Sequence, residues 1–405
     1  MIPAHSDVQS ALPVAEELIG RGDEVTFYLT EQFEPHVRRI GAGFRPLDPS
    51  VDLYDELARG TPLSSMADLG KLVGRLGPLW ARLFTDGLRA VPAMVEGVRA
   101  ERADCIVYNT MCPWGLALAR MLELPAVTFS TTWVMKPVSN LEQTFSAMAG
   151  SDAMTQALRS AEETAEELHA GHGMPRLQLG DMLAPDERVN LVPVTRQFQP
   201  DADGLDERYL FIGPSIRDRG DHGDFPPERL ADGSNLYISL GTAISQGAGT
   251  DFARLCFDAF GDGPWRVVLA TGRGTDPGSL GAVPANFLVR TFVPQLDVLA
   301  RAEVFVTHCG VNSVMESIWH GVPMVGIPHT IEQLMNADRA AELGLAVRLE
   351  PGGITPASLR DAVQTVSTDP GYRQRLAEAS QWARQAGGYE RAADAIQAAA
   401  AMVAS

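Results

Sequence analysis

The chain has 405 residues, of which 45% are hydrophobic and 21% are charged, an ordinary composition for a globular protein of two or three domains. Its 33 Lys and Arg against 51 Asp and Glu give a net charge of −18, which argues against nucleic acid or an anionic membrane as a partner. Four cysteines are too few for a disulfide framework, no apolar run is long enough to span a membrane, and no signal-type leader precedes Ile2. We therefore expect a soluble, cytoplasmic protein.

Short apolar runs alternate with amphipathic stretches along the whole chain, a pattern typical of βαβ units on parallel sheets. In the first half, the pattern predicts strands over 24–30, 105–110 and 126–131 and helices over 63–102 and 140–170. In the second half, it predicts strands over 235–241, 265–271, 287–292, 304–308 and 323–327 and a helical tail from 370. This alternation predicts an α/β fold with two doubly wound domains.

The segment 216–234 is rich in Gly, Pro and charge and has no periodicity, so we interpret it as a linker. The predicted domains are then 1–215 and 235–380, with a C-terminal helix over 381–405 that packs back on the first domain. Because ligands of doubly wound domains bind at the carboxyl ends of the strands, we expect the two domains to face each other across a ligand cleft.

The most informative segment is 292–337. A predicted strand ends there in the sequence HCG at 308–310, and a helix begins directly after it. Asn312 and Ser313 fall in the first turn of that helix, where free backbone N–H groups and the helix dipole favour a phosphate. Glu316 lies one turn further on, within reach of ribose hydroxyls. The pattern predicts a phosphate site that has no Walker motif.

Further polar and aromatic residues flank this site. Glu332 and Gln333 follow the next predicted strand in its loop and suit sugar hydroxyls, and Phe292 offers a flat face for a base. Phe292 could instead belong to the core, and His308 and Glu316 could be an ordinary strand-end histidine and a helix-face carboxylate. His320 and His329 have no partner at metal-ligand spacing, so we predict no metal site.

The segment closely resembles the donor-binding signature of family 1 glycosyltransferases of the GT-B fold, which include plant secondary-product and bacterial macrolide glycosyltransferases. The shared positions, with their spacing intact, are PQ at 294–295, HCG-x-NS at 308–313, Glu316, GVPM at 321–324 and EQ at 332–333. Weaker similarity at 211–215 (FIGPS) and 238–242 (ISLGT) extends the resemblance over most of the chain.

The resemblance implies a nucleotide-sugar donor and no other cofactor. Phe292 would stack on the base, and the backbone of Val293 and the side chain of Gln295 would hold base and ribose. The remaining implied contacts are Thr242, His308, Gly310, Asn312 and Ser313 to the diphosphate, Glu316 to the ribose, and Glu332 and Gln333 to the hexose. The Glu–Gln pair favours a fully hydroxylated sugar, so UDP-glucose is the expected donor and a dTDP-sugar the alternative.

The family's catalytic loop is of the type H-G-H-V-N-P, in which the second His is the general base and a carboxylate after a later strand orients it. Here the loop occupies 4–10, with Asp7 at the position of the base, His5 at that of the first His, and Asn109 in place of the carboxylate. An Asp base needs no tautomer control, and a second carboxylate beside it would only raise its pKa. The string SDVQ also resembles the GDVQP-type loop of glycopeptide-antibiotic and sterol glycosyltransferases. We therefore predict Asp7 as the base, with His5 as the alternative base and a helix cap as the alternative role of Asp7.

Two further features concern the first half. Only four residues precede His5 where the family has a first strand of about seven, so either this strand is very short or the chain lacks its natural beginning. Large apolar residues suggest an acceptor cleft for a lipophilic molecule, although each of them is compatible with a core position. They are Trp80, Phe84, Met94, Trp114, Trp133, Met135, Phe145 and Met148.

Together these patterns predict a metal-independent, inverting glycosyltransferase. It would move a hexose, glucose from UDP-glucose, to a hydroxyl of a lipophilic small molecule such as a macrolide, polyketide or phenol. Two alternatives remain open at this point: a non-catalytic nucleotide-sugar-binding helper of a partner transferase, and a sugar-nucleotide epimerase.

Overall fold

A computed structural model describes residues 1–52, 66–130, 132–134, 152–178, 181, 187–219, 225–230, 234–241 and 248–402. Its contacts divide the chain into two compact units. Unit 1 holds the described residues up to Ser215 together with those from Ala386 onward, and unit 2 holds the described residues of Ile216–Gln385.

Unit 1 carries short parallel strands surrounded by helices. β1 (Thr26–Leu29) pairs with β2 (Gly43–Pro46), and a second sheet has the order β3 (Ile106–Asn109), β4 (Ala126–Phe129), β5 (Val189–Val192) and β6 (Tyr209–Phe211). The helices of the unit are α1 (His5–Gly20), α2 (Glu34–Arg39), α3 (Met66–Glu101), α4 (Pro113–Leu122), α5 (Asp152–His172) and α12 (Gly388–Ala401). Helices pack on β2, β3, β4 and β5, as is typical of parallel sheets.

The chain start differs from the sequence prediction. Residues 4–10, expected as a loop, form the first turns of α1, with Ala4 as its N-cap, and residues 1–4 form no strand. The helix begins this early because Val8 N–H already bonds to Ala4 O (3.0 Å), and because Asp7 carries negative charge in the first turn, which the helix dipole favours. Asp7 therefore projects from a helix and not from a flexible loop.

Unit 2 is built on one six-stranded parallel sheet with the order β12-β11-β10-β7-β8-β9. Its strands are β7 (Asn235–Ser239), β8 (Arg266–Ala270), β9 (Phe287–Arg290), β10 (Val304–Thr307), β11 (Met324–Gly326) and β12 (Ala346–Arg348). Its helices are α6 (Ala248–Phe260), α7 (Gln295–Leu299), α8 (Val311–His320), α9 (Ile331–Glu342), α10 (Pro356–Thr368) and α11 (Pro370–Gln385). The strand order reverses between β7 and β10, which makes their carboxyl ends the expected ligand site of a doubly wound sheet.

The helical tail divides into two helices that belong to different units. α11 ends at Gln385 in unit 2, and α12 begins at Gly388 in unit 1. Gly387, between them, has φ of +91°, a left-handed conformation that costs glycine least. The start of α12 is tied down by the bond from Gly388 N–H to Ile212 O (2.8 Å).

Membrane-spanning helices and metal-binding clusters are both absent from the described residues. None of their helices is long and apolar enough to cross a membrane. None of their His, Cys, Asp and Glu side chains form a group of three or more that could hold a metal ion. All four cysteines are free thiols.

Candidate active site

The switch point of unit 2 places His308, directly after β10, beside Gly241, two residues after β7. A Cβ added to Gly241 would lie 2.8 Å from the Nε2 atom of His308, and one added to Gly310 would lie 2.7 Å from the same atom. Glycine at both positions therefore lets the imidazole lie against two backbone segments. Thr242, the next residue of this site in the sequence prediction, lies outside the described residues.

His308 is a neutral imidazole at neutral pH. Burial, with a smaller contribution from His329, lowers the pKa of His308 to about 4. Its Nδ1 atom is shielded from solvent and has no hydrogen-bond partner among the described residues. The side chain therefore brings no positive charge to the site at neutral pH.

The N-terminus of α8 lies directly beside this histidine. Gly310 is the N-cap, and Asn312 and Ser313 stand in the first turn, with Ser313 buried. The first N–H groups of a helix have no intrahelical acceptor, so they point outward and carry the positive end of the helix dipole. One of them, Val311 N–H, donates to Oε1 of Glu332 (3.2 Å). The arrangement suits a phosphate group.

The turn that leads into α8 is held in an unusual conformation. Cys309 has φ of +63°, which non-glycine residues seldom adopt. Its N–H donates to Oγ1 of Thr307 (3.1 Å), and its carbonyl oxygen accepts from Nδ2 of Asn336 (3.0 Å). These bonds fix the backbone between His308 and Gly310. They therefore also fix the directions of the His308 ring and of the N-terminus of α8.

Glu332 and Gln333 lie in the first turn of α9, not in a loop as the sequence predicted. The helix begins here because the Thr330 side chain caps it, accepting from Gln333 N–H (3.3 Å). The Oε1 atom of Glu332 accepts from Val311 N–H and from Nδ2 of Asn336, and Oε1 of Gln333 accepts from His329 N–H (2.8 Å). Some of the hydrogen-bonding atoms that the resemblance assigns to a hexose thus form bonds within the protein. One of these bonds joins α9 to the start of α8.

Glu316 is buried in the middle of a polar network. Its Oε1 atom forms an ion pair with Arg219, and its Oε2 atom accepts from Nε2 of Gln295 (2.7 Å). Nε2 of Gln295 also lies 3.3 Å from Oγ of Ser313, and Oε1 of Gln295 accepts from the Tyr237 hydroxyl (3.0 Å). Gln295, Ser313 and Glu316 belong to the motif that the sequence shares with glycosyltransferases, whereas Arg219 and Tyr237 were not predicted because no motif marks them.

Phe292 and Val293 follow β9 and have opposite environments. The Phe292 side chain is 57% exposed, which leaves its ring face accessible and excludes the core position that was the alternative. Val293 is buried. Gln295 begins α7 two residues later. Because Phe292 and Gln295 are only three positions apart, the exposed ring lies at the same end of the sheet as the hydrogen-bond network around Glu316.

In unit 1, Asp7 is a buried carboxylate with two hydrogen-bond donors. Nδ2 of Asn109 donates to its Oδ1 (2.8 Å), and Oγ of Ser6 donates to its Oδ2 (3.1 Å). The Asn109 amide is itself oriented, because its Oδ1 accepts from Met111 N–H (2.9 Å). The structure thus brings Asp7 and Asn109 together at the end of β3, and an oriented amide stands beside the carboxylate.

His5 lies on the same helix in an aromatic environment. Its ring centroid is 5.2 Å from that of Phe33 and 6.0 Å from that of His36, both edge-on. His5 is partly buried, whereas Asp7 is buried.

The large apolar residues of the first half divide into three groups. Phe84, Met94 and Trp114 are buried in the core of unit 1, the alternative named for each of them, and they fill the space where α3 and α4 pack together. Trp80 and Trp133 are partly buried. Met135, Phe145 and Met148 lie outside the described residues.

Known proteins are similar to this chain in both sequence and fold. Residues 231–385 match the family described as UDP-glucoronosyl and UDP-glucosyl transferase. The chain is 33% identical over 397 residues to the NDP-glycosyltransferase YjiC of Bacillus subtilis. The aligned region covers 98% of this chain and 95% of that relative. It is 30% identical over 400 residues to the oleandomycin glycosyltransferase of Streptomyces antibioticus, with coverage of 98% and 89%.

A solved structure agrees with these relatives. The crystal structure of the glycotransferase of kitacinnamycin superimposes with a TM-score of 0.79 at 29% identity, covering 98% of this chain and 96% of that one. The chain therefore belongs to the UDP-glucosyl transferase family and is a glycosyltransferase of the GT-B fold that uses a nucleotide-sugar donor.

Proposed function

We propose that the protein is an inverting, metal-independent glycosyltransferase that moves glucose from UDP-glucose to a hydroxyl of a lipophilic natural product. The observation that carries this proposal is the switch point of unit 2. A neutral histidine, a helix N-terminus and a buried carboxylate converge there at the carboxyl ends of β7 and β10. These are the groups that a diphosphate joined to a ribose requires.

The donor contacts follow from the chemistry of each group. The N–H groups at the start of α8, with Asn312 and Ser313, would hold the diphosphate together with His308 and Thr242. Glu316 would accept from the ribose hydroxyls, and Phe292 would stack on uracil, with the Val293 backbone and Gln295 beside it. Backbone donors that are already oriented need no reorganisation as charge develops on the leaving diphosphate.

The hexose contacts rest on α9. Glu332 and Gln333 stand in its first turn, next to the peptide that precedes α8, and their remaining hydrogen-bonding positions would hold hydroxyls of the sugar. A carboxylate and an amide are partners for hydroxyls and have nothing to bind on a deoxygenated carbon. This pair therefore supports a fully hydroxylated hexose as the transferred sugar. A dTDP-sugar is the alternative donor.

The proposed reaction is a single displacement. Asp7 would take the proton of the acceptor hydroxyl as the oxygen attacks the anomeric carbon from the face opposite the diphosphate. The bond from Asn109 would hold the Asp7 carboxylate in one orientation, a role that needs no second charge. The leaving diphosphate would be stabilised by the N-terminus of α8 and by the N–H of neutral His308. The product would have the inverted anomeric configuration.

The acceptor class rests on the relatives and on composition. Two relatives are named for oleandomycin and for kitacinnamycin, which supports a natural-product acceptor such as a macrolide or another polyketide. A phenol is a simpler acceptor of the same apolar character and serves in a test panel.

The direct test is transfer from UDP-glucose to a panel of macrolides and phenols, followed by mass spectrometry and by NMR of the anomeric proton. We expect Asp7→Asn to lower kcat by about 10²- to 10⁴-fold, the usual contribution of a general base. Asp104→Asn, at an exposed Asp of the same unit, is the matched control and should retain full activity. Full activity of Asp7→Asn with an inactive His5→Ala would assign the base to His5 instead. A product with retained configuration would exclude the single displacement.

A further inference from the structure

Arg219 is a charged residue that the sequence motifs do not include. It lies after β6 and before β7, in the described segment 216–219 of unit 2, and its guanidinium forms an ion pair with Glu316. The Arg219 side chain is 26% exposed, and that of Glu316 is only 4% exposed. A carboxylate as buried as this one needs a partner, because an unpaired buried charge is strongly destabilising.

The bonds around Glu316 leave a defined set of acceptor positions. A carboxylate has two oxygens, each with two lone pairs. Arg219 engages Oε1, and Gln295 engages Oε2. One position on each oxygen remains after these two bonds, and two adjacent acceptors match the geometry of a vicinal diol.

Gln295 alone cannot fix this carboxylate. Its Oε1 atom is held by the Tyr237 hydroxyl, and its Nε2 atom lies between Glu316 and Ser313. Gln295 supplies one uncharged hydrogen-bond donor to Oε2 of Glu316 and none to Oε1 of Glu316. The orientation of the carboxylate about its last torsion, and its charge balance, therefore depend on Arg219.

We propose that Arg219 is a positioning residue of the donor site: it holds the buried Glu316 carboxylate so that its two remaining acceptor positions meet the 2′- and 3′-hydroxyls of the ribose. This inference rests on the proposed role of Glu316 toward a ribonucleotide donor. It adds that discrimination between ribose and deoxyribose depends on a residue that lies outside the donor motif. An Arg is suited to this task because its planar fork fixes direction as well as charge, which a Lys ammonium does not.

The test compares binding of UDP and of 2′-deoxy-UDP by isothermal titration calorimetry. We expect Arg219→Gln to raise the Kd for UDP by about tenfold to a hundredfold, the range that a charge-assisted hydrogen bond covers. The Kd for 2′-deoxy-UDP should rise less, so the preference for ribose shrinks. Arg219→Lys should recover part of the loss. Arg229→Gln makes the same charge change at an exposed site of unit 2 and should bind as the wild type does.

Kinetics and a double variant separate positioning from a general effect on structure. Arg219→Gln should raise KM for the donor while kcat at saturating donor stays within about threefold, because the lost interaction is one of uniform binding. In a Glu316→Gln background, Arg219→Gln should cause no further loss, since Arg219 acts through that carboxylate. Additive losses in the double variant would overturn the inference.

Two other outcomes also decide the matter. If wild-type protein transfers glucose and Arg219→Gln binds both nucleotides as Arg229→Gln does, the inference is wrong while the proposed function stands. If wild-type protein binds no UDP, both fail together. Should Arg219→Gln not fold, as judged by circular dichroism, Arg219→Lys decides, because a Kd for UDP equal to that of the wild type would contradict the proposal.

Discussion

His308 is a neutral group in the proposed donor site, and its surroundings explain why. The ring lies against Gly241 and Gly310, where any larger residue would collide with Nε2, and burial lowers its pKa to about 4. A cation here would have to be desolvated before it met the diphosphate, whereas a neutral N–H costs less to bury. The same burial that shapes the site thus makes the protein sensitive to acid.

The first prediction concerns this sensitivity. Because the pKa of His308 is lowered from 6.5 to about 4, the unfolded chain takes up a proton below about pH 6.5 that the folded protein does not take up until about pH 4. The stability that neutral His308 allows is therefore present above about pH 6.5 and is lost as the pH falls toward 4. We expect this group to account for about 2–3 kcal/mol of the free energy of unfolding over that interval.

Urea denaturation at a series of pH values measures the effect. His308→Gln should flatten the dependence of the free energy of unfolding on pH between about 6.5 and 4, relative to the wild type. His172→Gln, at an exposed position of α5, is the control and should leave the dependence as it is in the wild type. Parallel curves for the wild type and His308→Gln would show that His308 is not buried in this way.

At the scale of elements, α12 is the helix that returns the end of the chain to unit 1. Its buried face, with Ala392, Ala393 and Ile396, lies on a core that includes Phe129 and Leu191. Arg21 also bonds to Asp394, but that carboxylate side chain is 70% exposed. Apolar burial therefore outweighs the ion pair in holding α12 to the sheet.

The second prediction follows from that comparison. Ile396→Ala should lower the free energy of unfolding by about 2–4 kcal/mol, because it removes buried methyl groups and leaves a cavity. Met402→Ala, at a side chain that is 52% exposed just after the helix, should change it far less. Arg21→Gln should likewise leave it nearly unchanged. Thermal and urea unfolding of the three variants measure how much stability each one loses. A larger loss for Arg21→Gln than for Ile396→Ala would show that the ion pair, and not apolar burial, holds α12 to the sheet.

The sequence predicted the elements of unit 2 better than those of unit 1, for physical reasons. Strands such as β7 and β10 are buried along their whole length and read as continuous apolar runs. β2 has the sequence GFRP and β12 has only three residues, so neither carries a clear period. The α/β class was thus predictable, whereas the full set of strands was not.

The site could be predicted only where residues close in sequence share one turn. The turn from His308 to Glu316 keeps its spacing because one strand and one helix fix it. Arg219 reaches Glu316 across 97 positions, and such a contact depends on the tertiary fold. The first turns of α1 and α9 resemble loops in the sequence because the start of a helix carries the same polar residues as a loop.

At the scale of the whole molecule, the net charge of −18 takes on a definite meaning. The proposed donor carries a negatively charged diphosphate, yet the groups assigned to it are backbone N–H groups, neutral His308 and uncharged side chains. Arg219, the cation in the described part of this network, is paired with Glu316. The proposed site would therefore bind the diphosphate by short-range hydrogen bonds, while the long-range field of the protein would repel it.

The final prediction is the salt dependence that this balance implies. Raising the ionic strength from about 0.01 M to about 0.15 M shortens the Debye length from about 30 Å to about 8 Å, which screens the long-range repulsion but not hydrogen bonds inside the site. We expect the Kd for UDP to fall by about two- to fivefold over this range, while the Kd for uridine, which is uncharged, stays constant. Titration calorimetry with two different monovalent anions measures both values and reveals any competition by the anion. A Kd for UDP that rises with salt, as in phosphate sites lined by Lys and Arg, would mean that a cation binds the diphosphate directly.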